Sequence, residues 1–432
     1  MAKKSKPIRL LSVIVPVLLL AWAGTVAAQQ VPAPPPPPYH TPIFGEPYHT
    51  EFMGEAVNVP KTDIGNITAL TVGGSFYTPK QGSTAFQPIG AGFIKRTWEE
   101  SRTRDTISIF VNSLEYERNL DHINNLELVT LFENNNIPVA QKLTLNNREI
   151  NATSLKYGNI LGSIGPGLRY KVAPFTVDNN LDFQLLGRAG YFYVVRLSDT
   201  ARNYQLPPDT MLYGAKFRTR YDGFQRNILG LPHEGWAAGL DIDYTDRNNW
   251  SDTGIPGVGF RNQDQTQRYA QGSMYVDWVG GVPGMSEKNR IFASVHGGGM
   301  DKHSTDRWNA FTIGGGPLPS ESGDLYRVDY PGTMFNNIYV SDYVMSAIEY
   351  RREIFFFMYL HLRGTFIWAH QAQASTTNQV VFAAARGQAA TVGLDTGFFW
   401  NSEVYLDYSH DSGFIRNGEP GSSVTFTWNK SF

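Results

Sequence analysis

From about Asn66 to the last residue, the chain alternates apolar with small or polar side chains at every second position, in runs broken by turn residues. Side chains of a strand point alternately to its two faces, so this period builds sheets with one apolar and one polar face. Thr106–Tyr116, Asp182–Val195, Trp236–Tyr244, Arg268–Trp278, Ile338–Tyr350, Ile354–Trp368 and Val392–Trp400 read as such strands. Along Arg268–Trp278, Ala270, Met274, Val276 and Trp278 alternate with Tyr269, Gln271, Ser273 and Asp277. A soluble sandwich turns its polar face to water and fills it with Lys and Glu. Here that face is small and amide-rich, as a hydrated lumen requires, and aromatics gather near strand ends as membrane girdles do. The expected fold class is all-β: a transmembrane antiparallel β-barrel of about 16 strands over residues 66–432, with a long inward-folded loop near residues 315–337.

Composition narrows the function. Charged residues make up 18% of the chain and the net charge is −2, which argues against a basic nucleic-acid binder, so no nucleic-acid partner is expected. The absence of cysteine removes disulfide scaffolds, thiolate metal sites and cysteine nucleophiles. Lys3, Lys4, Lys6 and Arg9 precede an apolar run from Leu10 to Trp22 and the small residues Val26-Ala27-Ala28. That order reads as a signal peptide over 1–28; the run is too short, and too broken by Ser12 and Pro16, for a spanning helix. Residues 29–65 open with a proline run through Pro38, a stiff rod that cannot join a sheet, and are expected to form a periplasmic tether. His40 and His49, in the repeated Pro-Tyr-His-Thr, lack the further ligands a metal site needs.

The last strand is the strongest local signal. Val424, Phe426, Trp428 and Phe432 share one face, broken by Lys430, while Thr425, Thr427, Asn429 and Ser431 are polar. Chain ends usually fray, and an end built this way, with Trp428 and Phe432 as its closing signal, resembles the final strand of bacterial outer-membrane barrels. The resemblance implies outer-membrane lipids and the barrel-assembly machinery as partners, and the bacterial outer membrane as location.

Residues 308–351 hold a second feature. Trp308-Asn-Ala-Phe-Thr-Ile ends at Gly314-Gly315-Gly316, and strand pattern returns only near Ile338. So long a connection is seldom idle in a compact barrel. The next strand puts Tyr343, Met345, Ala347, Glu349 and Arg351 on one face, which its charges assign to the lumen. A loop folded into that lumen could set Arg327 against Glu349. These residues resemble the BamA/TamA-like outer-membrane assembly and two-partner-secretion transporter superfamily, whose barrels carry a strand ending in Gly-Gly, an inward loop with an Arg-Gly-Tyr/Phe signature, and a Glu-(Tyr/Phe)-Arg strand. The matching residues are Gly314 and Gly315, Arg327 with Tyr330, and Glu349-Tyr350-Arg351; upstream, Asp222, Arg226, Pro232 and Gly235 are similar to the segment that opens the second half of the barrel. The resemblance implies a loop lock of Arg327, Tyr330 and Glu349. The loop reads Arg327-Val-Asp-Tyr330 instead of Arg-Gly-Tyr, the following strand has Leu362-Arg363-Gly364-Thr365 where relatives place an aspartate, and the stretch before the barrel is too short for a POTRA domain.

Catalysis and cofactors are not expected. His361 and His370, with Ser346 and Asp342, show no nucleophile–base spacing. Asp241, Asp243 and Asp246 lack calcium-loop order and read as a solvated strand end. The Gly-Gly-Gly runs lack the Lys-Ser/Thr of a nucleotide loop, and no Gly-x-Ser-x-Gly occurs. Expected functions are protein insertion, translocation or surface display through a loop-gated barrel, with a passive diffusion porin, or a structural barrel tethered to a periplasmic or lipoprotein partner, as alternatives.

Overall fold

The computed structural model describes residues 39–63, 65–81, 84–99, 104–120, 125–136, 141–145, 148–176, 178–251, 253–254, 266–301, 303–314, 328–334, 338–374, 380–397, 402–414 and 418–432. Two compact units divide the chain, Met1–His40 and Thr41–Phe432; the strands belong to the second. A hairpin of β1 (Tyr48–Phe52) and β2 (Glu55–Val59) precedes the barrel. The barrel strands are β3 (Ile67–Gln81), β4 (Thr84–Glu99), β5 (Arg104–Phe110), β6 (Ser113–Asn119), β7 (Leu126–Asn134), β8 (Gln141–Leu145), β9 (Arg148–Lys171), β10 (Asn180–Arg196), β11 (Thr210–Asp222), β12 (Gln225–Arg226) and β13 (Pro232–Arg247). They continue as β14 (Arg268–Gly281), β15 (Asn289–Met300), β16 (Phe311–Ile313), β17 (Ile338–Phe355), β18 (Met358–Ala374), β19 (Val380–Gly397), β20 (Ser402–Asp411) and β21 (Gly421–Ser431).

Counting the short β8, β12 and β16 as continuations of β7, β11 and β15, the described residues make a closed antiparallel barrel of 16 strands. Closure is made by β21 on β3, from Ser422↔Thr78 to Ser431↔Ala69, and the Phe432 N–H donates to the Thr68 carbonyl at 2.8 Å. The start of β3 and the end of β21 therefore share one end of the barrel, here the terminal end; the opposite end is the far end.

Alternation decides inside from outside. Val72, Phe76, Ile242, Met274, Val276, Ile348, Leu362 and Phe426 are exposed on the outer wall, while Thr71, Ser75, Asp241, Ser273, Asp277, Glu349 and Thr427 are buried within. So much exposed apolar surface in one band suits hydrocarbon, not water. Trp98, Tyr170, Trp236, Trp278 and Phe432 lie exposed toward the terminal end, and Phe76, Phe86, Tyr191, Tyr213, Tyr244 and Tyr408 toward the far end. These are the two girdles. Closure of the ladder around the barrel satisfies most backbone groups within the wall, which is why an alternating chain without spanning helices can adopt this form. No helix among the described residues is long and apolar enough to cross a membrane.

Three expectations change. Thr106–Tyr116 is not one strand: Val111-Asn112 turns the chain between β5 and β6. Ile354–Trp368 is interrupted at Phe356-Phe357, where β17 turns into β18. Residues 41–59, expected as tether, are folded against the terminal end. Phe52 packs edge-on to Phe355 and Phe357, each with centroids 5.3 Å away, and Tyr48 lies 5.2 Å from Phe356. Aromatic burial there replaces the hydration that a linker would keep.

Candidate functional site: a lumen with two unlike walls

The lumenal face of β6–β13 is lined by ion pairs. Lys216, Arg218 and Arg220 stand at every second position of β11, so all three point inward, and the register sets Lys216 across from Asp243 and Arg218 across from Asp241. Lys216 reaches Asp241 at 3.0 Å, and Arg220 reaches it at 2.5 Å. Arg218 pairs with Glu115. Arg188 bridges Asp243 and, at 3.1 Å, Glu133. Arg169 holds Glu117 and Asp182 at 2.7 Å each and Glu127 at 3.5 Å. Asp241 and Asp243 are thus not a solvated strand end. They are buried and paired, because period two carries acids to the lumen as it does apolar groups to lipid. A charge taken from water needs such a partner. The signal was present in Lys-x-Arg-x-Arg and Asp-x-Asp; their mutual register was not.

The far half of the opposite wall is apolar. Ile313, Ile338, Val340, Tyr343, Met345, Ile367, Ala369 and Ala389 form one buried cluster, and Tyr330 and Phe414 complete it. Tyr330 has no exposed surface, and its ring lies 5.4 Å from that of Phe414. The segment around it is inside the barrel: the Tyr77 hydroxyl of β3 donates to the Thr333 carbonyl at 3.1 Å. Gly332, at φ +81°, sits so close to Asp411 of β20 that a Cβ would come within 2.6 Å of its Oδ2. Residues 328–334 therefore fill the apolar side of the lumen, as an inward-folded loop does.

The expected lock is only partly placed. Arg327 and Gly315 lie outside the described residues. Glu349 is buried, but its described ion-pair partner is Arg351, at 2.6 Å. Tyr330 packs by the far half of β17, away from Glu349 near the terminal end. Arg351 links two of the motif stretches, since it also donates to the Pro232 carbonyl at 2.9 Å. Asp222 and Arg226 pair at 2.5 Å. Gly235, at φ +109°, lets the chain pass Gly223, whose carbonyl oxygen would stand 2.2 Å from a Cβ. Gly314, at φ +137°, ends β16. Trp428 lies in β21 across from Val72, and Phe432 is exposed at the terminal rim.

Both mouths are covered. At the terminal end, the buried Thr41 donates through its hydroxyl to Glu353 at 2.8 Å and through its N–H to Glu287 at 3.2 Å, and the Phe44 N–H donates to the Arg226 carbonyl at 3.0 Å. Burial works against charge on Glu287, but the Thr41 N–H, His233 and Arg290 hold its carboxyl below the usual range. At the far end, Arg247 of β13 pairs with Asp306 at 2.5 Å, both buried, and Trp308 stacks edge-on to Tyr157 at 4.7 Å. Beneath this cover lies a cavity of about 400 Å³, bordered by Glu133, Asn159, Arg188, Lys216, Trp308 and Tyr343 among others. His361 stands between Asp395 and Asp407 at 3.1 Å each, and His370 meets Asp342 at 2.5 Å. Both histidines are held by carboxylates, and the Ser341 hydroxyl donates to the same Asp342 oxygen at 3.3 Å.

Fold and lumen define a membrane-spanning β-barrel with part of its own loop packed inside and an N-terminal segment folded against one end. No protein-family model matches the chain, and no curated protein matches it. Among solved structures the chain is similar to BamA from Haemophilus ducreyi lacking POTRA domains 1–3, at 11% identity over 91% of this chain and 76% of that one, with a TM-score of 0.50. It is also similar to CdiB from Acinetobacter baumannii (11% identity, 90% and 65% covered, TM-score 0.48) and CdiB from Escherichia coli (11%, 90% and 68%, 0.47). At this identity the BamA likeness is one of fold: a closed 16-stranded barrel of that type.

Proposed function

We propose that the chain is a bacterial outer-membrane barrel that acts in protein insertion, translocation or surface display, through a lumen kept shut at rest. In that setting the terminal end faces the periplasm and the far end the cell surface. The observation that carries this reading is the Tyr330 segment buried in the apolar half of the lumen. A diffusion pore uses an inward loop to narrow its lumen, whereas a gated barrel needs a plug that fills it and can leave without unfolding the wall. The Gly314, Asp222–Arg226 and Glu349–Arg351 motifs support the same reading. No catalytic step is assigned to the barrel. The test is to reconstitute the chain in vesicles and follow the folding of a second, urea-unfolded outer-membrane barrel into them. Faster folding than in empty vesicles is expected; equal rates, together with a large steady conductance, would favour a pore.

A further inference from the structure

The barrel wall is uneven. β5 and β6 have 7 residues each, whereas a tilted spanning strand needs about 9–11. Their hairpin tops out where Phe110 pairs with Phe93 of β4. Phe93 lies between Trp98, in one girdle, and Phe86, in the other, so the hairpin ends near mid-membrane on that side. Above it, Thr84–Gly92 of β4 keeps a ladder only with β3 among the described residues. On the other flank, β7 leaves β6 at Glu133↔Ser113, and β8 pairs only with β9 among the described residues. The described residues of the β8–β9 hairpin lean over the lumen: Ile150 packs with Tyr339 and Ala372 of the opposite wall, and Arg307 donates to the Thr153 carbonyl at 2.8 Å.

The side chains of the strand beside the gap are apolar, while its edge leaves backbone groups that need a polar partner. Strand geometry turns half of the backbone groups of β4 toward the missing neighbour, and Pro88 removes one donor there. A Cβ added at Gly90 or Gly92 would meet nothing within 4 Å. From Phe86 to Ile94 both faces are apolar or glycine, apart from Gln87. The sill is polar: Asn112 donates to Asn135 at 3.1 Å, and Asn135 to Asn159 at 3.0 Å. Asn135 and Asn159 also border the 400 Å³ cavity, a volume in the range of small-molecule sites.

We propose that the gap above the β5–β6 hairpin is a lateral portal, through which an acyl-chain amphiphile of the membrane places its headgroup in that cavity. The portal is distinct from the β21–β3 closure, which is fully paired. The cavity's cations already have acids, Arg188 with Glu133 and Asp243, Lys216 with Asp241. Asn135, Asn159, Gln271, Thr245 and Ser273 add neutral donors and acceptors. A zwitterionic or uncharged headgroup fits that lining; an anionic one would find its cations taken.

The chain has no cysteine, so single cysteines can carry a bimane label. Asn135→Cys and Leu161→Cys report on the cavity, Ile164→Cys on the outer wall and Ser409→Cys on the lumenal face across the barrel; two cavity positions guard against one variant failing to fold. Vesicles of phosphatidylcholine brominated on its acyl chains should quench the cavity labels less than Ile164→Cys, which the chains touch directly, but several-fold more than Ser409→Cys. Quenching at both cavity positions no greater than at Ser409→Cys would overturn the portal. In detergent, brominated lysophosphatidylcholine should quench them more than brominated lysophosphatidylglycerol. The reverse order or equality would overturn the headgroup assignment.

Discussion

The two walls of the lumen are held by different physics. On β6–β13, inward cations and acids pair with one another, some on adjacent strands and some across intervening ones. In the far half of β16–β19, the inward residues Ile313, Ile338, Val340, Met345, Ile367 and Ala369 are apolar and bury against the segment carrying Tyr330. The first wall is complete without a plug; the second requires one. That difference assigns the Tyr330 segment to packing against the apolar side of the lumen. It also separates two kinds of damage, to the wall and to the plug.

The largest effect on the wall is expected from Arg169→Ala. Breaking a buried pair costs about 3–5 kcal/mol, and this substitution strands Glu117, Glu127 and Asp182 at once. Thermal unfolding in detergent should show a large fall in Tm, with conductance unchanged before melting. Tyr330→Ala sharpens the contrast. Truncating a buried aromatic costs about 3–5 kcal/mol, but the segment can leave while the barrel persists, so the loss should be read as protease access near residues 328–334 with a smaller change in Tm. Asp241→Asn comes next. It removes a charged acceptor from Lys216 and Arg220, for a loss of about 1.5–3 kcal/mol, again without opening the lumen.

Effects at the terminal cover are smaller. Phe52→Ala removes edge contacts to Phe355 and Phe357 of about 1 kcal/mol, so residues 41–59 should be cut faster by added protease while barrel Tm stays nearly constant. Acid should act in the same direction. The Glu287 carboxyl is held below its ordinary 4.5, so its contribution is complete above that pH and is lost as pH falls through the lower folded value. Proteolysis of the cover should therefore accelerate below about pH 4.5, and Glu287→Gln should remove that pH dependence.

Much of the fold was legible because a single period writes it. The lumenal face Tyr343, Met345, Ala347, Glu349, Arg351, the outward Val424 and Phe426, and the restart of strand at Ile338 all follow from alternation. What alternation does not encode is which strand lies beside which, and in what register. Asp241 and Asp243 are ambiguous until Lys216 and Arg218 stand opposite them. The hairpin at 48–59 was hidden by the proline run before it, and because its stabilising partners, Phe355–Phe357, lie some 300 residues away. The β5–β6 turn at Val111-Asn112 carries neither Gly nor Pro, so an uninterrupted strand was the simpler reading. The motif pairs Asp222–Arg226 and Glu349–Arg351 were visible as residues, but the contact of Arg351 with Pro232 belongs to tertiary structure.

The most direct test of a lumen closed by packing is planar-bilayer conductance of the purified barrel, unchanged and with Tyr330→Ala. A silent or briefly flickering parent that becomes a steadily open channel on substitution is the predicted result. A large, steady conductance already in the parent, or a Tyr330→Ala barrel as silent as the parent, would contradict it.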